Sequence, residues 1–141
     1  MKIIPFDPKH LEEMEINWGN KCMAPIVIAA SKLYAAAGPA FSGEDKGRIV
    51  GCAGLAELWP GVAHAWAIID KNYPKLSVYR AIKSGMFVLA QVCKCHRIQT
   101  STPAGFEAGH RMLRGLGFLP EGIMRSYGMD QSDYVQYAKV F

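Results

Sequence analysis

Arg48-Ile49-Val50-Gly51-Cys52-Ala53-Gly54-Leu55-Ala56-Glu57-Leu58, then Trp59-Pro60-Gly61, then Val62-Ala63-His64-Ala65-Trp66-Ala67-Ile68-Ile69-Asp70: this stretch decides the fold. Two β-prone runs meet at a Pro-Gly breaker, the pattern of an antiparallel hairpin. In the second run Ala63, Ala65, Ala67 and Ile69 alternate with His64, Trp66 and Ile68, so the two sets face opposite sides of a sheet. The small residues of the first set imply that something packs very close to that face. A polar turn, Glu44-Asp45-Lys46-Gly47, leads into the hairpin.

Working outward, the loop Lys71-Asn72-Tyr73-Pro74 opens a long helix. Its buried stripe is Val78, Ile82, Met86, Leu89 and Cys93, at three- and four-residue spacing, and it ends near Cys95-His96. A short strand follows over 97–102, stopped by Pro103, and a second helix runs from about Phe106 to Gly115. The chain turns through Leu116-Gly117-Phe118, extends over 120–125, turns again over 128–133 and closes as a strand over 134–141. Upstream, Met1 to Phe6 reads as a first strand. Asp7 caps a helix from Pro8 to Ile16, and the alanine-rich stretch 24–37 reads as a further helix ended by Gly38-Pro39. Helices among long strands imply a mixed sheet with helices covering its faces.

The 141 residues suit one domain spanning 1–141, with half the residues apolar and 20% charged. No apolar run reaches the ~20 residues needed to span a bilayer. The N-terminus lacks the ordered parts of a secretion signal, so a cytoplasmic location is expected. The net charge of +4 comes from scattered rather than clustered cations, which argues against a nucleic-acid footprint. A mildly basic surface favours anionic small ligands. Cys22, Cys52, Cys93 and Cys95 lack zinc-site spacing, so reduced, packed thiols and no metal are expected.

The element order, and most specifically the last 35 residues, resembles the Gcn5-related N-acetyltransferase (GNAT) family. In that family a helix ends in a Leu-Gly-Phe step, followed by an x-x-Glu-Gly-x-x-Arg strand, a polar turn and a closing strand. The matching residues are Leu116, Gly117, Phe118, Glu121, Gly122, Arg125, Asp133, Tyr134 and Tyr137. The phrase from Arg48 to Leu55 is typical of the family's long central strands. The short length and the phrases around Trp59 and Trp66 look like the small GNAT-like proteins of bacteriophages and prophages. The resemblance implies an α/β fold with a mixed, mostly antiparallel central sheet and helices on both faces. It also implies acetyl-CoA as acetyl donor and direct transfer to an amine, either a small molecule or a protein amine.

Two departures from the family pattern matter. The family's phosphate-binding loop is rich in glycine, because glycine lets backbone N–H groups approach a diphosphate at a helix N-terminus. Here the equivalent stretch, Asp70 to Arg80, contains no glycine. An altered cradle would use the N–H groups around Leu76 and Ser77 with the charges of Lys71, Lys75 and Arg80. The second departure is the usual acid. Counting back from Gly117 puts Leu113 at the family's tyrosine position and Phe106 at its asparagine position.

Direct transfer needs a base, a donor to the thioester carbonyl and an acid. For the base, the resemblance points to Glu57 or His64, placed across the hairpin turn and able to pair. For the carbonyl it points to a backbone N–H of the fourth strand, around Ile68 or Ile69, at a bulge where strands splay. His110 or Tyr127 would act as acid, with Tyr73 a further phenol on a loop. Trp18, Trp59 and Trp66 are candidate walls of an acceptor pocket, although packing is the commoner use of such residues. The alternative reading is a GNAT-fold binding or structural protein without catalysis. The closing strand offers an edge through which two copies could pair as a homodimer.

Overall fold

The computed structural model describes residues 1–16 and 23–141. Its described strands form one seven-stranded sheet: β1 (Lys2–Pro5), β2 (Ala40–Asp45), β3 (Arg48–Trp59), β4 (Val62–Ile69), β5 (Arg97–Pro103), β6 (Leu119–Met124) and β7 (Tyr134–Val140). Their spatial order is β1-β2-β3-β4-β5-β7-β6. Every neighbouring pair is antiparallel except β4–β5, which is parallel. The α-helices are α1 (Met23–Ala37), α2 (Lys75–Val92) and α3 (Glu107–Gly115). None of the described helices is long and apolar enough to cross a membrane.

The hairpin forms as the sequence predicts. Pro60 sets φ for the first central position of the turn, and Gly61 takes φ +87° at the second, as a type II turn requires. The Gly61 carbonyl accepts from the N–H groups of both His96 and Arg97, which ties the start of β4 to the start of β5. A Cβ at Gly61 would lie 2.3 Å from His96 Nδ1, but His96 is exposed and can rotate away. The left-handed backbone therefore sets the cost. Gly61→Ala is expected to lose about 1–2 kcal/mol, read as a lower urea midpoint at unchanged slope.

Packing follows the alternation on β4. Ala63 and Ala65 are buried under α2, against Val78, Ile82 and Met86, in a core that also takes Leu55, Ile98, Phe118 and Tyr137. The opposite face of β4, with Trp66, meets the 3₁₀ helix Pro8–Glu13 through Leu11 and Met14, and α1 through Tyr34. Helices thus cover both faces of the sheet.

Two local outcomes differ from the sequence reading. The segment after Pro8 is a 3₁₀ helix ending at Glu13, not a helix to Ile16. Its Asp7 cap is real: the carboxylate accepts from Lys9 N–H while His10 Nδ1 accepts from Asp7 N–H. β2 was not anticipated, because Ala40-Phe41-Ser42-Gly43-Glu44-Asp45 has little intrinsic strand preference. It is held between β1 and β3. Trp18 and Cys22 lie outside the described residues.

Candidate active site

The parallel ladder between β4 and β5 covers only Val62↔Arg97, Ala63↔Ile98 and His64↔Gln99. Beyond His64 the strands diverge. A cleft of about 280 Å³ opens there and passes through the sheet. From the α1 face it is walled by Tyr34, His64, Trp66 and Ile68; from the α2–α3 face by Ile82, Met86, Leu113 and Phe118.

Which backbone groups face the gap follows from strand alternation. Asp70 N–H donates to Val50 O at 3.0 Å, toward β3. Two residues earlier, Ile68 N–H therefore also points to β3, while those of Ala67 and Ile69 point toward the opening. The sequence expectation of Ile68 or Ile69 thus narrows to Ile69, with Ala67 added. The register from Gly51↔Ile69 to Glu57↔Ala63 is unbroken, so β4 carries no bulge there. The opening begins where the β4–β5 ladder stops, while β5 stays paired with β7 through Pro103.

A bulge lies instead on β3, between Glu57 and Trp59. It corrects the expected Glu57–His64 pair. Glu57 stands opposite Ala63 and His64 opposite Ala56, so the two side chains leave opposite faces of the sheet. Glu57 is exposed, lies near Cys93 and Cys95, and does not line the cleft. His64 is half-buried in the cleft wall, and desolvation pushes its imidazole pKa down. That places a neutral, proton-accepting imidazole in the opening at pH 7.

His110 is also corrected. It is 5% exposed and does not line the cleft. Its Nε2 lies 2.9 Å from Ala104 O and 3.1 Å from Pro103 O, so this nitrogen must carry the proton. The Tyr137 hydroxyl is 2.7 Å from Nδ1 and donates to it. With both nitrogens engaged, the ring ties the end of β5 to β7 and has no free proton for a ligand. Tyr127 stands exposed on the β6–β7 turn, edge-on to Tyr134 at 5.1 Å, outside the cleft lining. Tyr73 donates to Asp45 Oδ2 and anchors its loop to the β2–β3 end. Trp59 is exposed at the turn, and Trp66 is packed.

The start of α2 is the candidate anion site. Its N-cap is Pro74, with no side-chain cap. Ser77 and Val78 N–H both donate to Pro74 O, which withdraws Ser77 from the expected cradle. The N–H groups of Lys75 and Leu76 remain at the exposed helix end. Lys71 is committed elsewhere, with its ammonium 3.2 Å from Glu15 and its N–H on Glu15 O. Asp70 fixes this loop. Its buried carboxylate accepts from Arg48 at 2.6 Å and from the N–H groups of Glu15 and Asn72. Burial works to raise its pKa, but these donors hold it below the ordinary carboxylate value.

No three described His, Cys, Asp or Glu side chains converge as a metal site. Burial pushes the Cys52 and Cys95 thiols up to about 11, so both are protonated at neutral pH. Sequence reasoning missed Tyr34. It stacks on Trp66 at 5.3 Å and 18° and forms part of the cleft wall. Nothing in the alanine-rich stretch singles it out beyond being its one aromatic residue. Trp66 itself carries a buried indole N–H with no acceptor among the described residues.

A sheet split at its one parallel pair, with helices on both faces, is the GNAT fold. The chain aligns over its whole length with solved structures of that class. One is a ribosomal-protein-alanine N-acetyltransferase from Brucella melitensis, at TM-score 0.73 and 16% identity, covering 100% of both chains. Another is Ard1 from Thermoplasma volcanium, at TM-score 0.81 and 14% identity, covering 99% of this chain and 96% of that one. A third is yncA from Salmonella typhimurium, solved with its cofactor acetyl-CoA, at TM-score 0.73 and 14% identity, covering 99% and 92%. At these identities the likeness defines the fold. No protein-family model matches the sequence, and no curated protein matches it.

Proposed function

We propose that the chain is an acetyl-CoA-dependent N-acetyltransferase that transfers directly to an amine in the β4–β5 cleft. The observation that carries this reading is the through-sheet opening, which offers backbone N–H groups and an imidazole to two ligands arriving from opposite faces. The structure of yncA with its cofactor supports acetyl-CoA as the donor.

The residues present fit such a cofactor in part. The apolar α2–α3 half of the cleft, with Ile82, Met86, Leu113 and Phe118, suits an extended thioester arm. At the helix start, the two N–H groups of Lys75 and Leu76 and the Lys75 ammonium suit a diphosphate. Two donors are fewer than a glycine-rich loop would present, so affinity should be modest. When bound, the cofactor supplies an activated acetyl group. The N–H groups of Ala67 and Ile69 are placed to hold a carbonyl oxygen, and His64 to take a proton from an attacking amine. Among the described residues the cleft receives the His64 imidazole as base and the Tyr34 phenol as the one titratable O–H donor, its pKa raised by burial, since neither His110 nor Tyr127 lines it.

Titration of acetyl-CoA and CoA into the purified protein, followed by calorimetry, tests this reading. Binding in the micromolar range, about −8 kcal/mol or somewhat weaker, is expected. Lys75→Gln removes the charge. Lys75→Pro also removes the N–H, and it suits the first helical position after a residue at φ −56°, ψ 116°. The expected order of affinity is wild type, then Lys75→Gln, then Lys75→Pro, with the last weaker than wild type by about tenfold, or 1.4 kcal/mol. Absence of binding at millimolar cofactor would leave the fold as a binding or structural module.

A further inference from the structure

We infer that the acceptor is a primary amine on an apolar or aromatic body with a single cationic centre, rather than a polyamine or a basic peptide. This rests on the transferase reading above and names the substrate class of the same cleft. Three observations carry it.

The first is the wall. On the α1 face the cleft presents Tyr34, Trp66, Ile68 and His64. Phe6 meets Trp66 edge-on at 5.0 Å, and Tyr34 covers the Trp66 ring. The Trp66 surface is thus taken up within the protein. Among the described residues, the accessible aromatic surface on this face is that of half-buried Tyr34, suited to one flat apolar group.

The second is the absence of carboxylate among the described residues lining the cleft. The α1 sequence contains no Asp or Glu, and Lys32 is its only charged residue. Carboxylates of neighbouring turns are engaged locally. Asp7 accepts from Lys9 N–H, Asp130 from Ser132 and Asp133 from Ser126 N–H. Glu12 and Glu13 are exposed on the 3₁₀ helix and do not line the cleft.

The third is charge. The chain carries a net +4, which raises the cost of bringing in a polycation. A second ammonium entering the cleft would lose hydration without gaining a counter-charge, which costs affinity. A cation–π contact with Tyr34 returns only part of that cost. A single amine brings only one charge to the cleft, which it can keep near the half-buried His64 at the cleft wall. Its apolar body then stacks on Tyr34.

Binding of 2-phenylethylamine and of spermidine to the protein without cofactor, by calorimetry, tests the inference directly. Acetyl transfer to each, with acetyl-CoA present, forms a second arm. Phenylethylamine is expected to bind at least tenfold more tightly than spermidine. Tyr34→Ala and Tyr34→Leu should both weaken it about tenfold, while Tyr34→Phe retains it and acetyl-CoA affinity is unchanged in all three. Equal or tighter binding of spermidine, or no binding of phenylethylamine, overturns the inference even if acetyl transfer is observed. Selective phenylethylamine binding without transfer upholds this amine class as the ligand of the cleft and overturns the transferase reading instead.

Discussion

Replacing His64 by glutamine is expected to lower the rate of acetyl transfer by about 10²–10⁴, the usual contribution of a positioned base. The side chain is the one imidazole in the cleft wall, and glutamine keeps its polarity and approximate size while removing the proton-accepting nitrogen. The pH profile gives a second readout. Burial lowers the His64 pKa, so the basic form is already dominant at pH 7. Activity should therefore be flat through neutrality and fall only on the acid side, below the ordinary imidazole value of about 6.5. In the variant that acid limb should disappear. Stability follows the same sign. The unfolded chain binds a proton at His64 more readily than the folded one, so stability falls as pH drops through about 6.5, and His64→Gln should reduce that slope. Wild-type transfer rates in the variant, with an unchanged acid limb, would remove His64 from catalysis.

The largest stability effect should come from Asp70. Its side chain is fully buried and receives Arg48 and two backbone N–H groups, which hold the end of β4 to the entry into α2. Asp70→Ala strands the Glu15 and Asn72 N–H groups, while half-exposed Arg48 regains water. An expected loss of about 2–4 kcal/mol follows from the hydrogen bonds to a charged group, measured by urea unfolding. Asp70→Asn should lose less, because one oxygen still accepts. The sign with pH is fixed by the lowered folded pKa. The wild-type advantage over Asp70→Asn is full above about pH 5 and fades as pH falls below about 4, where the unfolded carboxylate is protonated. A constant difference across that range would mean that the carboxylate charge is not what holds the loop.

The hairpin, the buried stripe of α2 and the closing strands were legible because each is a periodic pattern. The relation of Glu57 to His64 was not. A two-residue turn at Pro60-Gly61, continued regularly, would set Glu57 opposite His64. One extra residue in β3 shifts the register by one and sends Glu57 to the other face. No side chain in Glu57-Leu58-Trp59 announces that insertion. His110 misled for a related reason, since helical spacing places it on a face but cannot reveal that Tyr137, 27 residues away, occupies its Nδ1. The α2 start was read correctly as lacking glycine, but the loss of Ser77 as a donor came from the Pro74 carbonyl turning back on the helix. β2 was missed because its stability is borrowed from its neighbours on both sides.

The three-residue join between β4 and β5 has a mechanical meaning. It is the one ladder connecting β1–β4 to β5–β7–β6, and the turn at Gly61 pins it at a single end. The sheet is therefore two stiff plates sharing a short seam, with α2 bridging them on one side. A molecule wedged beyond the seam acts as a rivet at its unfastened end. What it fastens is the relative angle of the plates, so amides on both sides of the opening should slow their hydrogen exchange together when the cleft is filled.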